Sequence, residues 1–168
     1  MKNNEISVQL YTARKFKPYD KILNFFHRSG IVNIELFGLE SFDEVEIQNI
    51  LKENNISCAS THIGFSSLEN LKTIINKLKF LEVKHAIVPA PKEIPGKEFK
   101  EFFDISEDVW IQYGKELASC VEIFEDNGLT LGYHNHSYEF IPLPSGKLPI
   151  QCILEQSEKL KFEIDLGW

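Results

Sequence analysis

Short apolar runs alternate along this chain with longer segments whose apolar residues recur at helical spacing, and nothing else in the sequence restricts the fold so tightly. The runs fall at 6–12, 31–37, 56–62, 85–89, around Leu129-Thr130-Leu131, and at 161–166. Between them the spacing predicts helices. Lys17 to Ser29 carries Ile22, Leu23, Phe25 and Phe26 on its apolar side and ends on Gly30. A second helix, capped by Ser41 or Asp43 and running to Asn54, carries Val45, Ile47, Ile50 and Leu51. A third starts at Ser67 with Leu68, Leu71, Ile74, Ile75 and Leu78. A fourth spans Ser106 to Asp126 with Val109, Trp110, Tyr113, Leu117, Val121 and Phe124, and a short fifth covers Ile150–Ser157. Strand followed by helix, repeated with short connections, is the pattern of parallel βα units.

The punctuation supports the same reading. Pro89 and Pro91 stop the fourth strand, and Asn127-Gly128 turns the fourth helix into the fifth strand. Pro142, Pro144 and Gly146 make 141–147 a loop. The charged stretch Lys92–Phe103 is expected to be a surface excursion over one end of the fold. There is no fixed-period repeat, low-complexity tract or linker, so 1–168 reads as a single domain.

Composition excludes several classes. The net charge of −7 argues against a nucleic-acid surface, which is normally basic. No run reaches the roughly 18–20 apolar residues of a membrane span, and Met1–Glu5 leads straight into a strand with no signal-peptide core. Cys58, Cys120 and Cys152, odd in number and scattered, fit reduced thiols and a cytoplasmic location.

The chemistry is concentrated in Gly132-Tyr133-His134-Asn135-His136-Ser137-Tyr138-Glu139-Phe140. Two imidazoles, a carboxamide and a carboxylate at the end of a buried strand are costly to bury without a purpose. Strand alternation puts His134 and His136 on one face and Tyr133 and Asn135 on the other, with Glu139 in the loop beyond. Imidazole with carboxylate suits a divalent ion: Mn, Mg, Co or Zn. The structural alternative is a pair of hydrogen-bonded histidines at a strand end. Glu35 admits an equally plain reading, as a strand carboxylate bridged to Arg14.

Several stretches together carry a resemblance. Tyr133-His134-Asn135-His136 with Glu139-Phe140, then Glu163-Ile164-Asp165-Leu166-Gly167-Trp168, are similar to the xylose-isomerase-like TIM-barrel superfamily. So are Ser7-Val8-Gln9-Leu10-Tyr11-Thr12-Ala13-Arg14, Gly30-Ile31-Val32-Asn33-Ile34-Glu35-Leu36-Phe37 and Ser60-Thr61-His62. The nearest branch is the sugar phosphate isomerases/epimerases, with inosose dehydratase relatives, and the match runs from about residue 6 to the last. The resemblance implies an α/β fold, a parallel (β/α) TIM-type barrel. Such a barrel has eight strands and about 250 residues, so the expectation is one truncated after about six of eight βα units. A homo-oligomer covering the open barrel edge would complete it.

The resemblance also implies roles. Relatives hold one divalent metal with two Glu, one Asp and one His. Glu139 matches the first Glu and Asp165 the Asp, while the other two ligands belong to strands this chain lacks. In a βα barrel, ligands gather at the C-terminal strand ends, where every polar residue named above falls. Glu139, His134 and His62 are the catalytic candidates. Gln9, Tyr11, Glu35, His136 and Trp168 are the substrate-binding ones. The implied function is metal-dependent isomerisation or epimerisation of a small sugar or polyol, in which a Lewis acid stabilises an enediolate. The alternatives are a non-catalytic sugar-binding barrel and, third, an endonuclease IV-like DNA-repair enzyme.

Overall fold

The structure, a computed structural model, describes residues 6–91 and 104–168. Six parallel strands lie in one sheet in their order along the chain. They are β1 Val8–Gln9, β2 Asn33–Leu36, β3 Ser57–His62, β4 His85–Val88, β5 Thr130–His134 and β6 Lys161–Glu163. The helices between them are α1 Tyr19–Arg28, α2 Glu44–Glu53, α3 Leu71–Phe80, α4 Glu107–Asp126 and α5 Pro149–Leu154. The expected excursion at Lys92–Phe103 falls outside the described residues.

Local chemistry decides where the elements begin. Asp43, rather than Ser41, caps α2, its carboxylate accepting from the Val45 and Glu46 amides at 3.0 and 2.8 Å. Ser67 does not start α3. Its hydroxyl donates to Glu40, which also accepts from the Gly64 amide at 2.7 Å, and Phe65–Asn70 winds as a 3-10 turn. The cap passes to Asn70, which accepts from the Thr73 amide.

Strands β1 and β6 end well before their apolar runs do. After Gln9 the backbone closes i→i+3 bonds, including Ala13 to Leu10 at 2.9 Å, so Tyr11 lies in a turn. Strand β6 ends at Glu163, leaving Asp165 beyond it. Helical spacing also overstates the buried faces: Phe25, Val45 and Val109 are all exposed.

The core lies between sheet and helices. Ile34, Leu36, Cys58, Ala86, Val88, Leu131 and Tyr133 of the strands meet Leu23, Ile47, Leu51, Ile74, Leu78, Leu117, Val121 and Phe124 of the helices. Each such large aliphatic side chain, removed from water, stabilises the fold by about 1.5–3 kcal/mol.

The sheet is strongly curved. In a flat sheet β3 and β6 would be about 14 Å apart, three strand spacings. Yet His62 on β3 meets Glu163 on β6 at 2.9 Å. The inward faces of the strands therefore converge, as the staves of a (β/α) barrel do. Gly132 helps keep that interior open, since a Cβ there would come within 2.8 Å of Ile87 Cδ1 and 3.2 Å of the Lys161 carbonyl.

Candidate functional site

Register places the polar groups at one level. Gln9 pairs with Glu35, Glu35 with Ser60 across a bulge, and His134 with Glu163. The bulge between Ile34 and Glu35 re-aims the end of β2. Along each strand the neighbours of these groups, Ile34, Leu36, Thr61 and Tyr133, are buried. Alternation then leaves the polar side chains pointing into the curve of the sheet.

The resulting cluster is continuous. Gln9 Nε2 donates to Glu35 Oε1 at 2.6 Å and lies 3.2 Å from His62 Nε2. Glu35 Oε2 accepts from the Ser60 hydroxyl. His62 Nε2 is 3.3 Å from Glu35 Oε1 and 2.9 Å from Glu163 Oε1. The same Glu163 oxygen lies 3.0 Å from His134 Nδ1, and His134 Nε2 lies 3.7 Å from Asp165 Oδ2. The two imidazoles tilt against each other with centroids 4.9 Å apart.

The charges are unequal. Burial pushes the Glu35 carboxyl up; the His62 charge opposes this, and the proton shared with Glu163 adds to it. Burial acts on Glu163 in the same sense, but the close approach of His134 and the hydrogen bonds from His62 and Glu35 outweigh it and hold that carboxyl well below the carboxylate range. Burial lowers the His134 pKa, but the close Glu163 carboxylate, then Asp165 and Glu35, outweigh it and raise it overall. Two carboxyls at one site thus have their proton affinities pushed apart, the arrangement that separates an acid from a base.

His62, His134 and Glu163 offer donor atoms that all lie within 4.8 Å of one another. His134 Nδ1 is buried and, despite its closeness to Glu163, has no aligned hydrogen-bond partner among the described residues. An imidazole nitrogen so placed, beside a second imidazole and an ionised carboxylate, suits a borderline divalent cation.

The remaining expected residues are distributed around this cluster. His136 stands over its edge, its ring 5.3 Å from that of His134, stacked on Tyr138 at 12° and 5.1 Å from the Trp168 ring. Trp168 is 63% exposed. Asn135 holds the chain after β6, accepting from the Asp165 amide at 2.9 Å and donating to its carbonyl at 3.1 Å. Tyr11 lies apart, half exposed, packed edge-on against Phe37 with the Arg14 guanidinium 3.8 Å from its ring centre. Arg14 donates to the Tyr11 carbonyl at 2.6 Å, and in place of the alternative Glu35–Arg14 bridge Glu35 meets Gln9, Ser60 and His62. Glu139 is completely buried, bound by the Tyr133 hydroxyl and the His136 amide.

Two participants escaped sequence reasoning: Ser60 and, above all, Glu163. Glu163 precedes Asp165 by two positions on the same apolar run, and strand alternation gives both the same face. That parity was the available signal, and the end of the strand decides between them.

Comparison with known proteins places this geometry in a known fold. No family model matches the sequence, and no curated protein matches it. Among solved structures, a sugar phosphate isomerase/epimerase from Parabacteroides distasonis ATCC 8503 superposes with a TM-score of 0.75 at 18% identity, covering 97% of this chain and 65% of that one. A xylose isomerase domain containing protein from Salmonella typhimurium LT2 gives 0.61 at 6% identity, covering 94% and 58%. An AP endonuclease, family 2, from Brucella melitensis gives 0.58 at 13% identity, covering 89% and 64%. The fold is that of the xylose-isomerase-like TIM barrels, and the chain spans less than two thirds of the length of each of these proteins.

Proposed function

We propose that this chain, with the fold of the xylose-isomerase-like barrels as its premise, carries the larger part of a divalent-metal-dependent sugar or polyol isomerase or epimerase site. The observation that supports this most directly is the inward group of His62, His134 and Glu163, with the buried His134 Nδ1 lacking an aligned partner. These three residues would hold the ion, with Asp165 beside His134. A bound divalent ion supplies Lewis-acid stabilisation of an enediolate.

The chain's own residues do the rest. Burial favours the proton on Glu35 while hydrogen bonding favours the ionised form of Glu163, a split in proton affinity that suits moving a proton between adjacent carbons. Gln9 and Ser60 fix the Glu35 carboxyl through its two oxygens. The exposed Trp168 face beside His136 offers an apolar surface to one side of a sugar ring. The Parabacteroides protein's description as a sugar phosphate isomerase/epimerase supports the same substrate class.

Titration calorimetry with Mn²⁺ and Co²⁺ tests this, on the chain and on any longer product of its reading frame. One-to-one binding is expected, weakened more than about a hundredfold by Glu163→Gln or by His134→Ala, beyond what a supporting residue commands. Interconversion of aldoses and ketoses, with and without phosphate, should accompany it. Absence of binding in every form, or binding indifferent to both substitutions, sinks the proposal. Incision of abasic DNA would replace it with the activity named for the Brucella neighbour, against the net charge of −7.

A further inference from the structure

We infer that Glu139 is a positioning residue, a buried latch that fixes the 135–140 turn beside the site, and not a metal ligand. The inference rests on the metal reading above and departs from the role that sequence resemblance implies for this residue.

Its geometry carries the case. Glu139 has no exposed surface. Oε1 accepts from the Tyr133 hydroxyl, and Oε2 accepts from the His136 amide at 2.8 Å. Tyr133 belongs to the helix side of β5: it is fully buried in the core and its ring lies edge-on to Tyr113 of α4 at 5.9 Å. His134, the next residue, takes the opposite face by alternation and joins His62 and Glu163. Both oxygens of Glu139 are therefore taken up, with His136 Nδ1 3.9 Å from Oε1, and Glu139 is not one of the three groups whose donor atoms come together.

What the latch holds is the rim of the site. Binding the His136 amide ties the chain just after β5 to the 3-10 turn Tyr138–Phe140. Tyr138, packed on Trp110 at 6.2 Å, lies parallel to the His136 ring, and its hydroxyl is 3.1 Å from His136 Nδ1. His136 in turn meets Trp168. Through these contacts Glu139 sets the aromatic wall without touching substrate or ion.

A glutamine can serve the same latch, its carbonyl accepting from the His136 amide and its NH₂ donating to the Tyr133 oxygen. Glu139→Gln should therefore bind Mn²⁺ or Co²⁺ within about tenfold of the wild-type affinity, where loss of a true ligand exceeds the range of supporting residues. The visible spectrum of its bound Co²⁺ should be unchanged, whereas Glu163→Gln loses binding. In the metal-free chain Tyr133→Phe, which leaves the carboxylate in place, should lower the thermal midpoint by about 3 °C or more.

A folded Glu139→Gln that binds more than a hundredfold more weakly, or shows an altered cobalt spectrum, overturns the inference. So does an unchanged metal-free midpoint in Tyr133→Phe. If the wild-type chain binds neither ion, the metal reading fails instead, and the latch stands or falls on the metal-free midpoint alone.

Discussion

Glu35 shows how one inward carboxyl is kept on a buried face. It is 7% exposed, and its two oxygens are divided between Gln9 on one neighbouring strand and Ser60 on the other. Neither donor is charged, which suits a carboxyl whose proton affinity burial has raised. Removing one donor leaves a buried oxygen unsatisfied at a cost of about 1–3 kcal/mol. Ser60→Ala should lower the urea midpoint of the metal-free chain accordingly, with no change in the slope of the transition. A substitution without effect would mean that Ser60 does not carry Glu35. The same reasoning explains why the Arg14 bridge does not form: the turn after β1 carries Arg14 away to its own backbone at Tyr11.

At the scale of elements, α4 and α5 meet through a glycine. A Cβ on Gly114 would stand 2.8 Å from both the Cα and the carbonyl oxygen of Ile153, and backbone cannot swing aside as a side-chain tip can. Alanine in place of glycine inside a helix gains about 1 kcal/mol of intrinsic propensity. Forcing a methyl into a packed interface costs about 1–3 kcal/mol. The clash is against backbone, so the cost prevails: Gly114→Ala should destabilise the chain by about 1–2 kcal/mol in urea unfolding. A stabilised variant would show that the contact between α4 and α5 is looser than its geometry. The short α5 matters because its chain leads into β6, and with it Glu163.

Over the whole molecule, buried weak acids set an alkaline limit. Burial raises the Tyr113, Tyr133 and Tyr138 phenols, with nearby tyrosine and Glu139 charges adding to it, and pushes the Cys58 thiol up to about 12. Because each folded value exceeds the unfolded one, the folded chain holds more protons above pH ~9–10 and stability falls as pH rises. Each group titrating only in the unfolded chain removes up to about 1.4 kcal/mol per pH unit. Tyr113→Phe, which also gives up the 2.7 Å bond to the Ala90 carbonyl, should start less stable at neutral pH. Its decline above pH ~10 should be shallower, as read from urea midpoints across pH 8–11. An equally steep decline would remove Tyr113 from the account.

The sequence by itself determined the parallel βα order, because apolar periodicity and the Pro, Gly and Asp stops are local and act before any tertiary contact exists. It also determined that Gln9, Glu35, His62, His134 and Asp165 would fall at or just past the C-terminal strand ends, since strand polarity orders them. Only the tertiary structure decided which of them meet. Strand register and the curl of the sheet brought β6 against β3, so Glu163 joined His62 and His134. The early ends of β1 and β6 set Tyr11 and Asp165 off those strands, because a turn's hydrogen bonds prevailed after Gln9 and Asn135 captured the chain beyond Glu163. Only the tertiary structure, too, decided the partners of Glu139: the Tyr133 hydroxyl and the His136 amide meet its two oxygens, and a buried carboxylate settles where its oxygens are satisfied.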